Sequence, residues 1–423
     1  MSGRRTSLVA LFQCQVEKLV FGGAGLGHLK GQVVFIPGAL PGEVVEIQLQ
    51  KQRGDFSEAR LVRILEEAPE RIAPQEDHFH CCSPWQILAP ELEAYWKRQI
   101  VLDTLQRQTV LCHNDLQVIE EGPRLGYRNR LEFHFTEVKN RLHLALHEPA
   151  SQNPIPVETC QLGLPTLQRA SQELILLLDD AQLRPKEMGR LVLRGNRAGQ
   201  VVALLQLNAA AKQRLTSHQR HWPKLDFQFI AYSENFPKEA VSQSELFESA
   251  ENARIYFGGL GFFQINPFCL ESLVPVVGEW IKGEEVLDLY GGVGTLSLPH
   301  AEQTQSCMIV EENPDAIHFA QRNTKEIPHF QVTPSKVQQA LKQIGGQQTV
   351  LLNPPRAGIA NQVRQQLLKV KPKRLIYLSC NVSTCARDLK DLQACYQLKW
   401  QQAFNFFPAT PHIELLTILE RKK

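Results

Sequence analysis

The chain has 423 residues, 43% of them apolar, with 46 Lys and Arg against 44 Asp and Glu for a formal net charge of +2. That length supports two or three cores, and the near balance of charge excludes bulk basicity as a way to hold a polyanion, so a nucleic-acid surface has to come from local arrangement. No apolar run approaches the roughly 20 residues that span a bilayer, Leu8–Phe12 after Arg4 and Arg5 is too short for a signal peptide, and in the cytoplasm so implied the ten scattered cysteines read as thiols, ligands or catalytic groups before disulfides.

Residues 6–66 alternate apolar and polar positions in short runs, such as Gln32–Ile36, separated by Gly22-Gly23, Gly25, Gly27, Pro37-Gly38 and Pro41-Gly42. This predicts a small antiparallel barrel, taken as a domain over 1–66. Lys51 and Arg53, with Arg60 and Arg63, flank Phe56, a mixture of cations and an aromatic ring that suits single-stranded nucleic acid by charge and stacking. The same residues also suit a plain solvated face.

Pro69, Pro74, Pro84 and Pro90 mark an irregular connection before the amphipathic stretch Leu92–Leu105. Strand-like runs at Gly126–Phe135 and Leu191–Leu207, with a helical period at Ser171–Leu178, predict a central α+β domain over 67–260. Arg128 and Arg130 in the first of these runs are further candidates for nucleic-acid contact.

From about Leu260, apolar runs at Glu285–Tyr290, Cys307–Val310, Thr349–Leu352 and Arg374–Leu378 alternate with helical periods at Pro314–Asn323, Ala360–Val370 and Ser383–Leu392. The expectation is a Rossmann-like α/β domain over 261–423, with a parallel sheet and ligands at the carboxyl ends of its strands. Asp288-Leu289-Tyr290-Gly291-Gly292-Val293-Gly294-Thr295 is a strand running into a glycine turn, and Glu311 ends the next strand, where an acid can hold ribose hydroxyls. The fuller G-x-G-x-x-G is missing, which favours S-adenosylmethionine over a dinucleotide and leaves a purely structural turn open.

Asn353-Pro354-Pro355-Arg356 follows one strand, and its paired prolines hold a polar side chain rigidly over the pocket. Ser379-Cys380-Asn381 follows another strand and opens a helix, whose N–H groups and dipole favour a thiolate. Glu414 precedes the apolar run Leu415–Leu419. Alone, each has a bland reading: packing for the cysteine and solvation for the glutamate.

Taken in this order, the motifs resemble the bacterial RNA uracil-5-methyltransferase family. Phe262–Asn266 is similar to its F-x-Q-x-N, Asp288–Thr295 to D-x-Y-C-G-x-G-T, Tyr377–Asn381 to Y-x-S-C-N and Phe407–Glu414 to F-P-x-T-x-H-x-E. Residues 6–66 resemble the TRAM RNA-binding barrel. The resemblance implies that Gln264, Asp288, Tyr290, Gly292, Gly294, Glu311 and Asn353 hold S-adenosylmethionine, that Cys380 is the nucleophile and that Glu414 is the base. It implies RNA as partner, 23S ribosomal RNA before transfer RNA, with no membrane and no protein partner evident. Phe263, Phe404, Phe406 and Phe407 are candidates to stack on an extruded base, with core packing as the alternative for each.

The chain departs from the family in three places. Many members hold an iron–sulfur cluster on four cysteines, whereas Pro74–Gln86 with Cys160 matches only Cys81 or Cys82 and Cys160. A cubane demands four thiolates, so no cluster is expected; His78 and His80 offer zinc-type donors beside Cys81, Cys82 and Cys160, but the expectation is metal-free thiols. Asn353 stands where the family has Asp; its amide can still pair with uracil, tolerates cytosine, and also occurs before Pro-Pro in enzymes that methylate exocyclic amines. Gly291 replaces a cysteine in the glycine turn and is expected to be harmless. A non-catalytic RNA-binding protein and a small-molecule methyltransferase are the other classes to test.

Overall fold

The computed structural model describes residues 10–108, 112, 115–149, 151–233 and 243–423. They form two compact units: Met1–Thr104 with Phe407–His412, and Leu105–Phe406 with Ile413–Lys423. Among the described residues, no helix is long and apolar enough to cross a membrane.

The first unit carries a closed barrel of β1 (Leu11–Leu19), β2 (Gly25–Leu29), β3 (Gln32–Ile36), β4 (Val44–Arg53) and β5 (Phe56–Glu66), in the order β1-β2-β3-β5-β4. The alternation predicts which side chains turn inward. Cys14, Val16, Val34, Ile36, Val45, Ile47 and Ala59 form the buried core, and their polar neighbours face out. A second core joins Leu19 and Leu40 to Ala68, Trp85, Ile87, Leu88 and Ile100. These last residues fall on the irregular connection, which includes α1 (Phe79–Cys82), and on α2 (Pro90–Arg107). The compact units therefore do not divide at the expected residues 66 and 260, because the connection buries its apolar side chains with the barrel.

A buried ion pair brings a distant loop into the same unit. Lys97 and Glu93 meet at 2.7 Å on α2, both almost inaccessible. Lys97 donates to the Phe407 carbonyl at 3.0 Å, and the Glu93 carboxylate accepts the Ala409 N–H at 3.0 Å. Two buried charges are tolerable only when paired and fully hydrogen-bonded, as these are.

The second unit contains two large sheets. The six-stranded one runs β12 (Gln228–Tyr232), β11 (Val201–Leu207), β10 (Met188–Gly195), β7 (Arg130–Val138), β8 (Arg141–His147) and β9 (Pro154–Val157). Helix α3 (Pro165–Asp180) buries Leu167, Ala170, Leu174 and Leu178 along one stripe; α4 (Ala209–His218), a hairpin of β13 (Leu246–Ala250) and β14 (Ala253–Phe257), and α5 (Leu270–Ile281) follow.

The eight-stranded sheet contains β15 (Glu285–Leu289), β16 (Ser306–Glu311), β17 (Phe330–Pro334), β18 (Thr349–Leu352), β19 (Arg374–Ser379), β20 (Tyr396–Phe404) and β21 (Glu414–Arg421), with the short β6 (Val118–Ile119) at one edge. Its order is β17-β16-β15-β18-β19-β21-β20-β6, parallel from β17 to β19. Continuous apolar runs such as Val350-Leu351-Leu352 are buried because α6 (Pro314–Thr324), α7 (Asn361–Val370), α8 (Val382–Leu392) and their neighbours cover the faces. The chain leaves β15 in one direction and resumes beside it at β18, so a switch point opens at the carboxyl ends of these two strands.

Candidate active site

The turn after β15 lies at that switch point. Tyr290 (φ +60°), Gly292 (φ +59°) and Gly294 (φ +87°) all adopt left-handed backbone. Glu311, at the end of β16, accepts the Gly292 N–H at 3.0 Å through one carboxylate oxygen. Its other oxygen accepts the Glu312 and Asn313 N–H groups at 2.8 and 2.7 Å. A crevice here is lined by Phe262, Gln264, Asp288, Tyr290–Val293, Thr295, Leu296 and Asn353. Every cofactor residue predicted from the sequence lines it except Gly294 and Glu311, which shape the same turn.

Gly291 stands where this chain has no room for a side chain. A Cβ there would meet Ile309 Cγ2 at 2.8 Å and Asp288 Cγ at 2.9 Å. Asp288 itself is buried and accepts from Ser297 Oγ at 2.7 Å. Burial, helped by the Glu311 charge, pushes its carboxyl up to about 7.

The Phe262–Asn266 segment enters from the other side and is held by a residue sequence reasoning passed over. Asn129, wholly buried, donates through Nδ2 to the Gln264 carbonyl at 2.8 Å, and its N–H donates to the Ile265 carbonyl at 2.9 Å. Behind the segment, Phe263 stacks on Phe257 with centroids 4.0 Å apart, and the buried Arg194 guanidinium lies over both rings. Desolvation lowers Arg194 to about 9 and raises the nearby Asp315 to about 6, each opposed by the charge of the other. Phe263, Phe404 and Phe406 are thus core residues, each 2% exposed or less. The ring that reaches the crevice is Phe262, 62% exposed, which its position beside another phenylalanine hid from a periodicity argument.

Cys380 follows β19, half-buried, on the turn into α8. The expectation that the helix end lowers its pKa is reversed: the Ser383 and Thr384 N–H groups are taken by Asn381 Oδ1 at 3.1 and 3.3 Å. Burial and then the Glu414 charge push the thiol up to about 11, against a hydrogen bond and positive charge from Arg356. Glu414, the first residue of β21, is buried, and its Oε2 has no hydrogen-bond partner among the described residues. Burial raises it to about 8, again opposed by Arg356.

Arg356 thus acts electrostatically on both Cys380 and Glu414, although sequence reasoning assigned it no role beyond ending Asn-Pro-Pro-Arg. Its carbonyl accepts from Asn381 Nδ2 and Thr384 Oγ1, both at 3.1 Å. Asp388 of α8 accepts the Ile359 N–H at 2.8 Å and the Tyr377 hydroxyl at 3.0 Å. The rigid loop after β18 is therefore clamped to the helix that follows Cys380.

The nucleic-acid candidates fall on both units. On the barrel, the Arg53 guanidinium lies 6.0 Å from the Phe56 ring, which also meets Phe35 at 5.4 Å, while Lys51 pairs with Glu58 at 3.6 Å. In the second unit, Arg128 is half-buried, and Arg130 donates to Glu132 at 2.9 Å. A larger cleft of about 430 Å³, lined by Gln200–Val202 and Lys224–Gln228, includes neither Cys380 nor Glu414.

Family models match in three places: the TRAM domain at residues 13–62, the methyltransferase small domain at 270–376, and tRNA (Uracil-5-)-methyltransferase at 338–422. A 23S rRNA (uracil(1939)-C(5))-methyltransferase, RlmD, of a Marinomonas species is 30% identical, over 97% of this chain and 94% of its own length. The chain belongs to the RNA uracil-5-methyltransferase family. The RlmD of Shewanella sediminis is 28% identical over 98% of this chain and 96% of its own length. Among solved structures, the Pyrococcus abyssi tRNA (uracil-54, C5)-methyltransferase, determined with S-adenosyl-L-homocysteine, has a TM-score of 0.74. It is 24% identical and covers 96% of this chain and all of its own, a likeness of fold. The family is one of methyltransferases, and the crevice fits their cofactor: the glycine turn exposes backbone, Glu311 stands by it, and Phe262 offers an exposed ring.

Proposed function

We propose that this protein methylates C5 of a uridine in 23S ribosomal RNA through a covalent adduct on Cys380. The observation that carries the reading is the register of β19 and β21, which pairs Ser379 with Leu415 and so sets Cys380 and Glu414 at the same end of neighbouring strands, with Arg356 acting electrostatically on both. S-adenosylmethionine, held by Gln264, Asp288, the Tyr290–Gly294 turn and Glu311, supplies an electrophilic methyl group. Asn353 lines the same crevice, and its amide is suited to the polar edge of a pyrimidine.

Uracil C5 is a weak nucleophile until C6 is attacked. Cys380 Sγ bonds to C6, and the C5–C6 π electrons move toward O4 to give an enolate whose C5 accepts the methyl group. That carbon then bears both a methyl and a proton. Glu414 takes the proton, the C5–C6 double bond reforms, and the electron pair of the C6–S bond leaves with the cysteine. Arg356 stabilises the thiolate at the start and its return at the end.

Two features support ribosomal RNA over transfer RNA: the relatives called RlmD align along nearly the whole chain, and the barrel adds a basic and aromatic surface for a large folded RNA. Incubation with RNA bearing 5-fluorouridine at the target tests the chemistry, since fluorine at C5 cannot leave as a proton. The wild type should form a denaturation-resistant adduct and Cys380→Ala none. An adduct that survives Cys380→Ala defeats the nucleophile assignment. Mapping 5-methyluridine in cells lacking the protein tests the substrate, and loss confined to transfer RNA would defeat the ribosomal reading.

A further inference from the structure

We propose that Glu76, His78 and Cys82 form a zinc site in the first unit. The ligand atoms of these three side chains lie within 4.8 Å of one another. His78 Nε2 is 3.1 Å from Glu76 Oε1, and Cys82 Sγ is 4.0 Å from Glu76 Oε2. Ligands at about 2.0–2.3 Å around one tetrahedral ion are separated by such distances, and a nitrogen, an oxygen and a sulfur donor form a set that zinc accepts.

The surroundings are built to orient the carboxylate. Gln86, itself buried, donates from Nε2 to Glu76 Oε2 at 3.0 Å and to Ser83 Oγ at 2.7 Å. That leaves Glu76 Oε1 toward His78, the arrangement expected where an outer hydrogen bond fixes a coordinating carboxylate. The Glu76 side chain is only 4% exposed, and that of His78 13%. A divalent ion would offset the charge of the Glu76 carboxylate and of a coordinating Cys82 thiolate.

The site does not reproduce the four thiolates of a cubane, since only Cys82 among these ligands is a cysteine. It replaces the expectation of metal-free thiols, which rested on cysteine counting and left Glu76 out. The ion would tie both ends of the 76–82 segment directly ahead of Trp85. The Trp85 N–H donates to the Ala409 carbonyl at 3.0 Å, so this metal lock bears on the loop that leads into Glu414.

The test is elemental analysis of the full-length protein, purified without chelator from zinc-supplemented culture. About one zinc per chain is expected, as for a structural site, with Cys82→Ser and His78→Gln each losing most of it. Because such variants can misfold, the wild type is also stripped with a chelator: its melting temperature should fall, and zinc ions alone should restore it. Zinc well below stoichiometry with a melting temperature indifferent to added zinc would overturn the site, leaving only the close approach of His78 to Glu76. So would stoichiometric iron with sulfide, or zinc retained in both variants.

Discussion

Glu414→Gln separates the two consequences of burying a carboxyl at the base position. Burial raises Glu414 from 4.5 to about 8; at 1.36 kcal/mol per pKa unit, this is roughly 4–5 kcal/mol between its two protonation states. The folded pKa lies above the unfolded one, so the folded state holds the extra proton. Any stability tied to it is present in full below about pH 4.5 and is lost as pH rises through about 8. Glutamine resembles the neutral acid at every pH. The variant should therefore melt within about 3 °C of the wild type at pH 5 and roughly 10 °C or more above it at pH 9, since about 1 kcal/mol moves the melting point of a domain this size by roughly 2–4 °C. In activity the order reverses. The amide cannot take the C5 proton, so turnover should fall by about 10²-fold or more, while methylated RNA stays bound to Cys380 in denaturing gels. Differential scanning fluorimetry across pH 5–9 and gel analysis with radiolabelled cofactor read the two effects. An equal melting difference at pH 5 and pH 9 would refute the burial argument, and loss of turnover without accumulated adduct would refute the base assignment.

For the wild type, turnover at saturating substrate should rise between pH 7 and 9, because Glu414 must be ionised to act; a flat profile counts against it. Gly291→Ala should weaken cofactor binding at least tenfold by calorimetry, since its Cβ has no room beside Ile309 and Asp288. Gly292→Ala meets no neighbour within 4 Å and should cost only about 1 kcal/mol for its left-handed backbone; equal losses in the two variants would discredit the steric distinction. Arg356→Met should slow alkylation of Cys380 by iodoacetamide several-fold at pH 8, followed by mass spectrometry of its peptide, because it removes the charge that opposes burial. Arg194→Met should destabilise the fold by roughly 3 kcal/mol, the cost of stranding a buried partner charge, and should raise the dissociation constant for S-adenosylmethionine through Phe263. An unchanged affinity would confine Arg194 to the core.

What sequence reasoning reached and missed follows from which interactions are local. The strands Glu285–Leu289, Ser306–Glu311, Thr349–Leu352 and Arg374–Ser379 were legible because strands buried on both faces need unbroken apolar runs. β17 and β20 were not, since Phe330–Pro334 and Tyr396–Phe404 mix polar and apolar residues near an edge of the sheet. The 66 and 260 boundaries relied on texture, whereas Trp85 and Ile100 join the barrel by packing that no local pattern encodes. The same contrast holds in the active site. The Tyr290–Gly294 turn and the order of Cys380 and Glu414 could be read along the chain. The state of the thiol could not, because besides the local cap by Asn381 it depends on two distant facts: Glu414 arrives from another strand, and Arg356 sits on a loop clamped by Asp388. A helix N-terminus lowers a thiol only while its N–H groups are free to face it. Here those of Ser383 and Thr384 are not, so the thiolate of Cys380 is favoured only by its own N–H and by Arg356, against burial and the Glu414 charge.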